Sequence, residues 1–268
     1  MRVIVVIPTY NERDNLSLLV KKLHGIVPRV HILIVDDNSP DGTGEVAEDL
    51  SRAYPGRIFA LHRSAKSGLG RAYVAGFRYA LEAGYDVVLQ MDADLSHDPA
   101  YIPAMLEKVL DADLVLGSRY VRGINVVNWG LERLLLSKSA SLYVRLVTQM
   151  PVTDATGGFK CWRRNVLEAI GLNSVFSNGY LFQVEMTYKA FRKGFRIAEA
   201  PIIFYERDLG RSKMDYRVIL EALWGVLRLR LTPARGTRPA YPTPAPAIPT
   251  RRQPAASREP LGSGAVAR

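Results

Sequence analysis

The chain has 268 residues, 48% of them hydrophobic, one cysteine (Cys161) and a formal charge of +10. That length allows one large core plus an appendage, and a lone cysteine excludes an internal disulfide and suits a reducing compartment. No run of about 18 apolar residues occurs, which excludes a membrane-crossing helix, and the opening apolar run at 3–7 is too short to read as a secretory leader.

The first 120 residues alternate between two textures. Runs rich in β-branched residues at 3–7, 31–35, 58–61, 87–91 and 114–116 predict strands, and amphipathic stretches near 14–25, 43–54, 69–83 and 100–111 predict helices. This alternation predicts an α/β fold, a mostly parallel sheet flanked by helices. In such sheets ligands bind at the carboxyl ends of the strands. Further on, helices are predicted over 130–148, 180–193 and 215–231, with a turn-rich segment at 154–158 followed by a short apolar piece. After Thr232 the chain fills with Pro, Ala, Arg and Thr. Such a stretch cannot offset its ordering entropy by burial, so the reading is a catalytic domain over 1–232 and a disordered basic tail over 233–268. Six arginines against Glu259 give that tail +5 of the +10. The body is therefore only moderately basic. It suits anionic partners such as phosphates, and nucleic acid is not required.

Every unusual polar motif of the first half directly follows an apolar run. After the first stands Pro8-Thr9-Tyr10-Asn11-Glu12. The proline ends a strand and Asn11 can cap a helix, while Tyr10 can stack on, and Glu12 hydrogen-bond to, a base or ribose. After the second, Asp36, Asp37 and Asp41 crowd three acids into six residues. A turn explains part of this; the adjacent pair points to ligand contact, with Asp37 toward the base or ribose. Lys66-Ser67-Gly68-Leu69-Gly70 opens a helix where backbone and cation can meet an anion, although neither the Walker nor the dinucleotide spacing is present. After the fourth run, Asp92-Ala93-Asp94 offers two hard oxygen ligands to one Mg²⁺ or Mn²⁺, an ion that neutralises a diphosphate leaving group. Ser96 and Asp98 before Pro99 would cap a helix without it. His97 reads as a surface residue. Downstream, Arg119, Arg133, Lys138, Arg207, Arg211 and Lys213 recur. They are either solvated faces or phosphate contacts, the last three flanking Gly210 and Ser212 as in a loop that folds over a phosphate.

Taken together, PTYNE at 8–12, VDDNSPDGT at 35–43, KSGLGRAYVAGF at 66–77, MDADLSHDP at 91–99, GSRY at 117–120, DATGGFKCWRR at 154–164, GYLFQVEM at 179–186 and GRSKM at 210–214 resemble the family 2 glycosyltransferases of GT-A (Rossmann-like) fold. Within them, the chain resembles the dolichol-phosphate (polyprenol-phosphate) mannose synthases, over about residues 2–231. The resemblance implies an inverting, metal-dependent transfer of mannose from GDP-mannose to a polyprenyl or dolichyl phosphate. It implies that Pro8, Tyr10, Glu12 and Asp37 hold the guanosine, that Lys66 and Gly68 lie near the diphosphate, and that Asp92, Ala93 and Asp94 face it through Mg²⁺ or Mn²⁺. Arg119, Arg133, Ser137, Arg207 and Lys213 match positions around the lipid phosphate and diphosphate; Asp94, Arg119 and Arg207 would carry catalysis. Some relatives have Gln where this chain has Ser96, and several carry membrane helices that this chain lacks. The expected location is therefore cytoplasmic, peripheral on the cytosolic face of a membrane, by way of amphipathic helices such as 215–231 or an integral membrane partner protein. A polyprenyl-phosphate glucosyltransferase or polysaccharide transferase of the same fold is the alternative enzyme, and a non-catalytic nucleotide-sugar-binding scaffold the alternative of another class.

Overall fold

The computed structural model describes residues 1–205 and 216–232; Arg207, Arg211, Lys213 and the segment 233–268 lie outside the described residues. In chain order the elements are β1 (Val3–Thr9), α1 (Arg13–Ile26), β2 (His31–Asp36), α2 (Thr43–Ala53), β3 (Ile58–His62), α3 (Leu69–Glu82), β4 (Val87–Gln90), α4 (Ile102–Lys108), β5 (Leu114–Ser118), β6 (Val126–Val127), α5 (Leu131–Thr148), β7 (Lys160–Arg163), α6 (Arg164–Ile170), α7 (Gly179–Arg192), β8 (Ile197–Pro201), β9 (Phe204–Tyr205) and α8 (Tyr216–Leu231). Seven strands make one sheet in the order β3-β2-β1-β4-β7-β5-β8. Strands β1 to β4 run parallel, as do β5 and β8.

Strand β7 runs antiparallel between β4 and β5. The sequence reading has only a short apolar piece there, because Lys160-Cys161-Trp162-Arg163 carries a cation at each end and no alternation. Tertiary pairing decides it. The insertion separates the first four strands, which bear the polar motifs, from β5 and β8, which lead to the later cations.

Alternate residues of each strand feed opposite layers. Val3, Val5, Ile7 and Leu89 pack with Leu16, Leu19, Val20 and Leu23 of α1, whereas Ile4, Val6 and Val88 pack with Tyr73 and Phe77 of α3 and with Phe182 of α7. The 16-19-20-23 spacing places four apolar side chains on one helical face, and each fully buried aliphatic contributes about 1.5–3 kcal/mol. Contrary to expectation, Pro8 does not end β1: the ladder to β2 continues through Pro8–Val35 and Thr9–Asp36. The pairing to β4 stops at Val6–Gln90, and the Val6 carbonyl accepts from Met91 on that side. By alternation Pro8 faces the same side, where no strand remains to need its missing N–H.

Helix α5 turns Ser141, Val144 and Thr148 inward and leaves Leu131, Leu135, Leu142 and Leu146 exposed. Its Tyr143 hydroxyl donates to the Leu223 carbonyl of α8 at 3.0 Å. Val226 and Leu229 of α8 are buried, while Trp224 is 73% and Leu231 78% exposed.

Candidate active site

Two loops at the carboxyl ends of β1 and β2 are stitched together by side chains. Asp36 accepts from Thr9 Oγ1 at 3.1 Å, from the Ser39 amide at 3.1 Å and from Ser39 Oγ at 2.5 Å. Asp41 accepts from Thr43 Oγ1 at 2.6 Å and from the Thr43 and Arg13 amides at 3.0 and 3.3 Å. Although some burial acts to raise it, these hydrogen bonds leave the Asp41 pKa lowered. The Asn11 and Glu12 amides donate to Ser39 Oγ and Thr43 Oγ1. Two of the three crowded acids therefore hold the loop together. The third, Asp37, is 4% exposed, pairs with Arg63 and accepts from the Ser67 amide at 3.2 Å. Arg63 is a site residue the sequence reading missed. Its signal was present: it is the first residue past β3, the kind of position that singled out Asp37.

A cavity of about 190 Å³ opens over these strand ends, lined by Pro8, Thr9, Tyr10, Glu12, Asp37, Lys66, Gly68, Leu69, Ala72, Asp92, Ala93 and Asp94. All nine residues expected around the nucleotide-sugar are in it. Lys66 Nζ lies 3.7 Å from the centroid of the Tyr10 ring, a cation over an aromatic face. A wider cleft of about 960 Å³ adjoins it, sharing Tyr10, Glu12 and Asp94 and reaching His97, Asn128 and Tyr205.

The Asp-Ala-Asp segment is held from beneath. The Tyr73 hydroxyl donates to Asp92 Oδ1 at 2.6 Å; burial first, then Asp92, push this phenol well above its ordinary pKa, so it stays a donor. Leu95 adopts φ +64°, a left-handed conformation that costs a non-glycine residue about 1–3 kcal/mol. This turn lets Asp94 Oδ1 accept from the Ser96 amide at 3.0 Å and from Ser96 Oγ at 2.5 Å. Ser96 thus orients a carboxylate. Two hard oxygen donors in one polar cavity fit a divalent ion. Among the described residues no group of three or more His, Cys, Asp or Glu converges as a metal cluster, so the rest of a shell would fall to water and phosphate.

His97 is a correction. It is 2% exposed, stacks on Phe159 with centroids 5.1 Å apart, and accepts at Nδ1 from the Asp92 amide at 3.1 Å. An adjacent loop position gave no hint of this burial, because Phe159 and Phe204, which enclose the ring, come from distant segments.

The expected acceptor cations begin on the far side of His97. Its ring meets Phe204 edge-on, Phe204 meets Trp129, and Arg133 lies 4.5 Å over the Trp129 ring. Arg119 is 8% exposed and clasps Asp154 with Nε and Nη2, both at 2.7 Å, with Nη2 also reaching Thr156 at 2.9 Å. Burial acts to raise the Asp154 pKa and to lower that of Arg119, yet each moves the opposite way because of its partner. Ser137 Oγ accepts from the Tyr120 hydroxyl at 2.7 Å. Among the described residues the buried indole N–H of Trp129 has no hydrogen-bond partner.

The fold and the polar lining of the cavity suit a nucleotide-sugar transferase, and the sequence comparisons show the class. The sequence profile of "Glycosyl transferase family 2" matches residues 4–171, and the chain belongs to that family. It is 49% identical over 241 residues to the polyprenol monophosphomannose synthase of Mycolicibacterium smegmatis, covering 88% of this chain and 91% of the relative. It is 48% identical over 228 residues to the undecaprenyl-phosphate mannosyltransferase of Micrococcus luteus, covering 85% and 93%. Among solved structures, glucosyl-3-phosphoglycerate synthase from Mycobacterium tuberculosis with Mn²⁺, uridine diphosphate and phosphoglyceric acid aligns with a TM-score of 0.66 at 17% identity, over 88% of this chain and 80% of that one. Mannosyl-3-phosphoglycerate synthase from Rubrobacter xylanophilus aligns at 0.61 and 19%, over 86% and 73%. These two likenesses establish the fold.

Proposed function

We propose that this glycosyltransferase moves mannose from GDP-mannose to a polyprenyl or dolichyl phosphate, with inversion at the anomeric carbon. The observation that carries the reading is the gathering of Tyr10, Asp37, Lys66, Asp92 and Asp94 around one cavity, linked through His97, Phe204 and Trp129 to Arg133. The names of the two close relatives support both the sugar and the lipid acceptor.

Asp92 and Asp94 would hold a Mg²⁺ or Mn²⁺, which would supply charge neutralisation at the departing diphosphate. Tyr73 and Ser96 keep the two carboxylates aimed. Tyr10 suits stacking on a base, and Asp37, held by Arg63 and the Ser67 amide, suits the N–H groups of the base or the ribose hydroxyls. The acceptor phosphate has a second pKa near 6 and arrives ionised, so no side chain need remove a proton from it. Placement is what remains. Arg133, Ser137 and the Asp154-anchored Arg119 are assigned to the acceptor phosphate, together with Arg207 and Lys213 from outside the described residues; Asp94, Arg119 and Arg207 are assigned the catalytic charge balance.

No helix of the described residues is long and apolar enough to cross a membrane. The exposed leucines of α5 and Trp224 of α8, interleaved with Arg133, Lys138, Arg145, Arg228 and Arg230, suit an interfacial seat on the cytosolic face of a membrane or against an integral partner. The test is incubation of purified protein with Mg²⁺, a short polyprenyl phosphate and either GDP-mannose or UDP-glucose. A mannosylated lipid from the first donor only is the expected result; a glucosylated lipid, or none, would overturn the assignment.

A further inference from the structure

Lys66, Gly68 and Leu69 form part of the wall of the nucleotide cavity. The two glycines of their loop are required by a protein neighbour, Asn178. A Cβ on Gly68 would stand 3.0 Å from both Cγ and Oδ1 of Asn178, and one on Gly70 would stand 3.0 Å from Asn178 Oδ1 and 2.9 Å from the Ser177 carbonyl. These approaches are well inside the about 3.5–4 Å of ordinary carbon contact. Gly68 also has φ +96°, a conformation that favours glycine. The Asn178 carboxamide lies against the face of the loop that the glycines leave bare.

From there it bonds both ends of the glycine segment. Its Nδ2 donates to the Ser67 carbonyl at 3.1 Å, and its Oδ1 accepts from the Arg71 amide at 3.3 Å. The Ser67 amide in turn donates to Asp37 Oδ2 at 3.2 Å. A single residue of backbone thus connects Asn178 to the carboxylate assigned to the nucleoside. Asn178 stands at the N-cap of α7, where an asparagine ordinarily accepts from the second or third helical N–H; here it makes no such bond. Its side chain serves the loop instead. The segment that carries it is anchored from within: fully buried Glu185 accepts from the Ser177 amide at 3.0 Å and pairs with Lys189 at 2.7 Å, and Lys189 donates to the Ser174 carbonyl at 2.7 Å. Asn178 itself is exposed, so its removal leaves no void in the core.

We propose that Asn178 is a positioning residue for the sugar nucleotide. It holds the backbone from Ser67 to Gly70 in the shape that presents the Ser67 amide to Asp37 and Lys66 and Gly68 to the cavity. The inference rests on the nucleotide-sugar reading of that cavity. A loop already ordered costs less to order on binding, so Asn178 acts on donor affinity and leaves acceptor use alone.

The experiment uses the full chain, with GDP and Mg²⁺ titrated by calorimetry and transfer measured from GDP-mannose to a short polyprenyl phosphate. Asn178→Ala removes both bonds. It is expected to weaken GDP binding and to raise the KM for GDP-mannose, each about tenfold, on the scale of the hydrogen bonds removed. At saturating donor, kcat and the KM for polyprenyl phosphate should stay within about twofold, with the urea midpoint nearly unchanged. Asn178→Asp keeps the size and the acceptor for Arg71 but cannot donate to Ser67; it should lose GDP affinity as well, and tests the idea if Asn178→Ala fails to fold. Combined with Asp37→Ala, the losses should fall short of multiplying by at least about threefold, because both changes act on one loop. A GDP affinity within twofold of the unaltered protein, or KM values for donor and acceptor that rise together, would overturn the proposal. An unaltered chain that binds no GDP would overturn the functional reading on which the proposal rests.

Discussion

The side of this molecule proposed to take the donor and the side proposed to take the acceptor are built by different rules. Around the nucleotide cavity, side chains project from strand ends whose backbone is locked by short local bonds: Asp36 to Ser39, Asp41 to Thr43, Asp94 to Ser96. On the acceptor side the cations are braced by partners far off in sequence and by rings, as with Arg119 on Asp154 and Arg133 on Trp129, and the adjoining helices leave leucines bare. A rigid donor pocket can recognise one sugar nucleotide, whereas an open, cation-rich, apolar-edged flank suits a charged head group that remains attached to a long lipid.

The sharpest way to break that contrast is to strike its donor half. Asp94→Ala should lower transfer at least about a thousandfold, the several kcal/mol of charge stabilisation supplied at the leaving group, with the circular-dichroism spectrum of the folded protein unchanged. An active variant would mean that the carboxylate pair is only structural. The corresponding blow to the acceptor half should fall on stability. Asp154→Asn leaves the Arg119 charge buried without its partner, a cost of about 3–5 kcal/mol by urea unfolding; a loss under about 1 kcal/mol would show that solvent reaches the arginine.

How much of this was legible beforehand divides along the same line. That these residues would line one cavity could be read because a parallel strand delivers the residues after it to one edge, and that rule needs no tertiary information. Arg63 obeys it and was overlooked; Asp36, the last residue of β2, and Asp41, further along the same loop, hold that loop together. The burial of His97 and the Arg119–Asp154 clasp were invisible, since each depends on packing between segments 35 or more residues apart. Strand β7, which directly follows the segment carrying Asp154 and Phe159, has no strand-like pattern of its own.

A subtler separation of the halves is kinetic. Arg133→Ala should raise the KM for polyprenyl phosphate about tenfold, roughly 1.4 kcal/mol, while GDP affinity by calorimetry stays within about twofold; an equal loss of both would erase the distinction between the two sides. Lys160 sits beneath both, fully buried, and burial lowers its pKa to about 7 despite Asp154 and Asp92 acting to raise it. Between about pH 7 and 10 the unfolded chain holds a proton there that the folded chain does not, so stability from this group rises with pH across that window. Lys160→Met should flatten the rise measured by denaturant unfolding at pH 7, 8, 9 and 10, and an unchanged slope would place the buried charge elsewhere. The smallest expected effect is at Cys161, whose thiol burial pushes far up; a thiol reagent should leave it unmodified until the protein unfolds.

Whether the two halves share one opening is best settled by a crystal grown with GDP, Mn²⁺ and a short-chain polyprenyl phosphate. The account predicts an anomalous peak between Asp92 and Asp94, guanine against Tyr10 and Asp37, and the lipid phosphate facing the ion from the side of Arg133. An ion bound away from those aspartates, or a lipid phosphate on the opposite surface of the sheet, would contradict it.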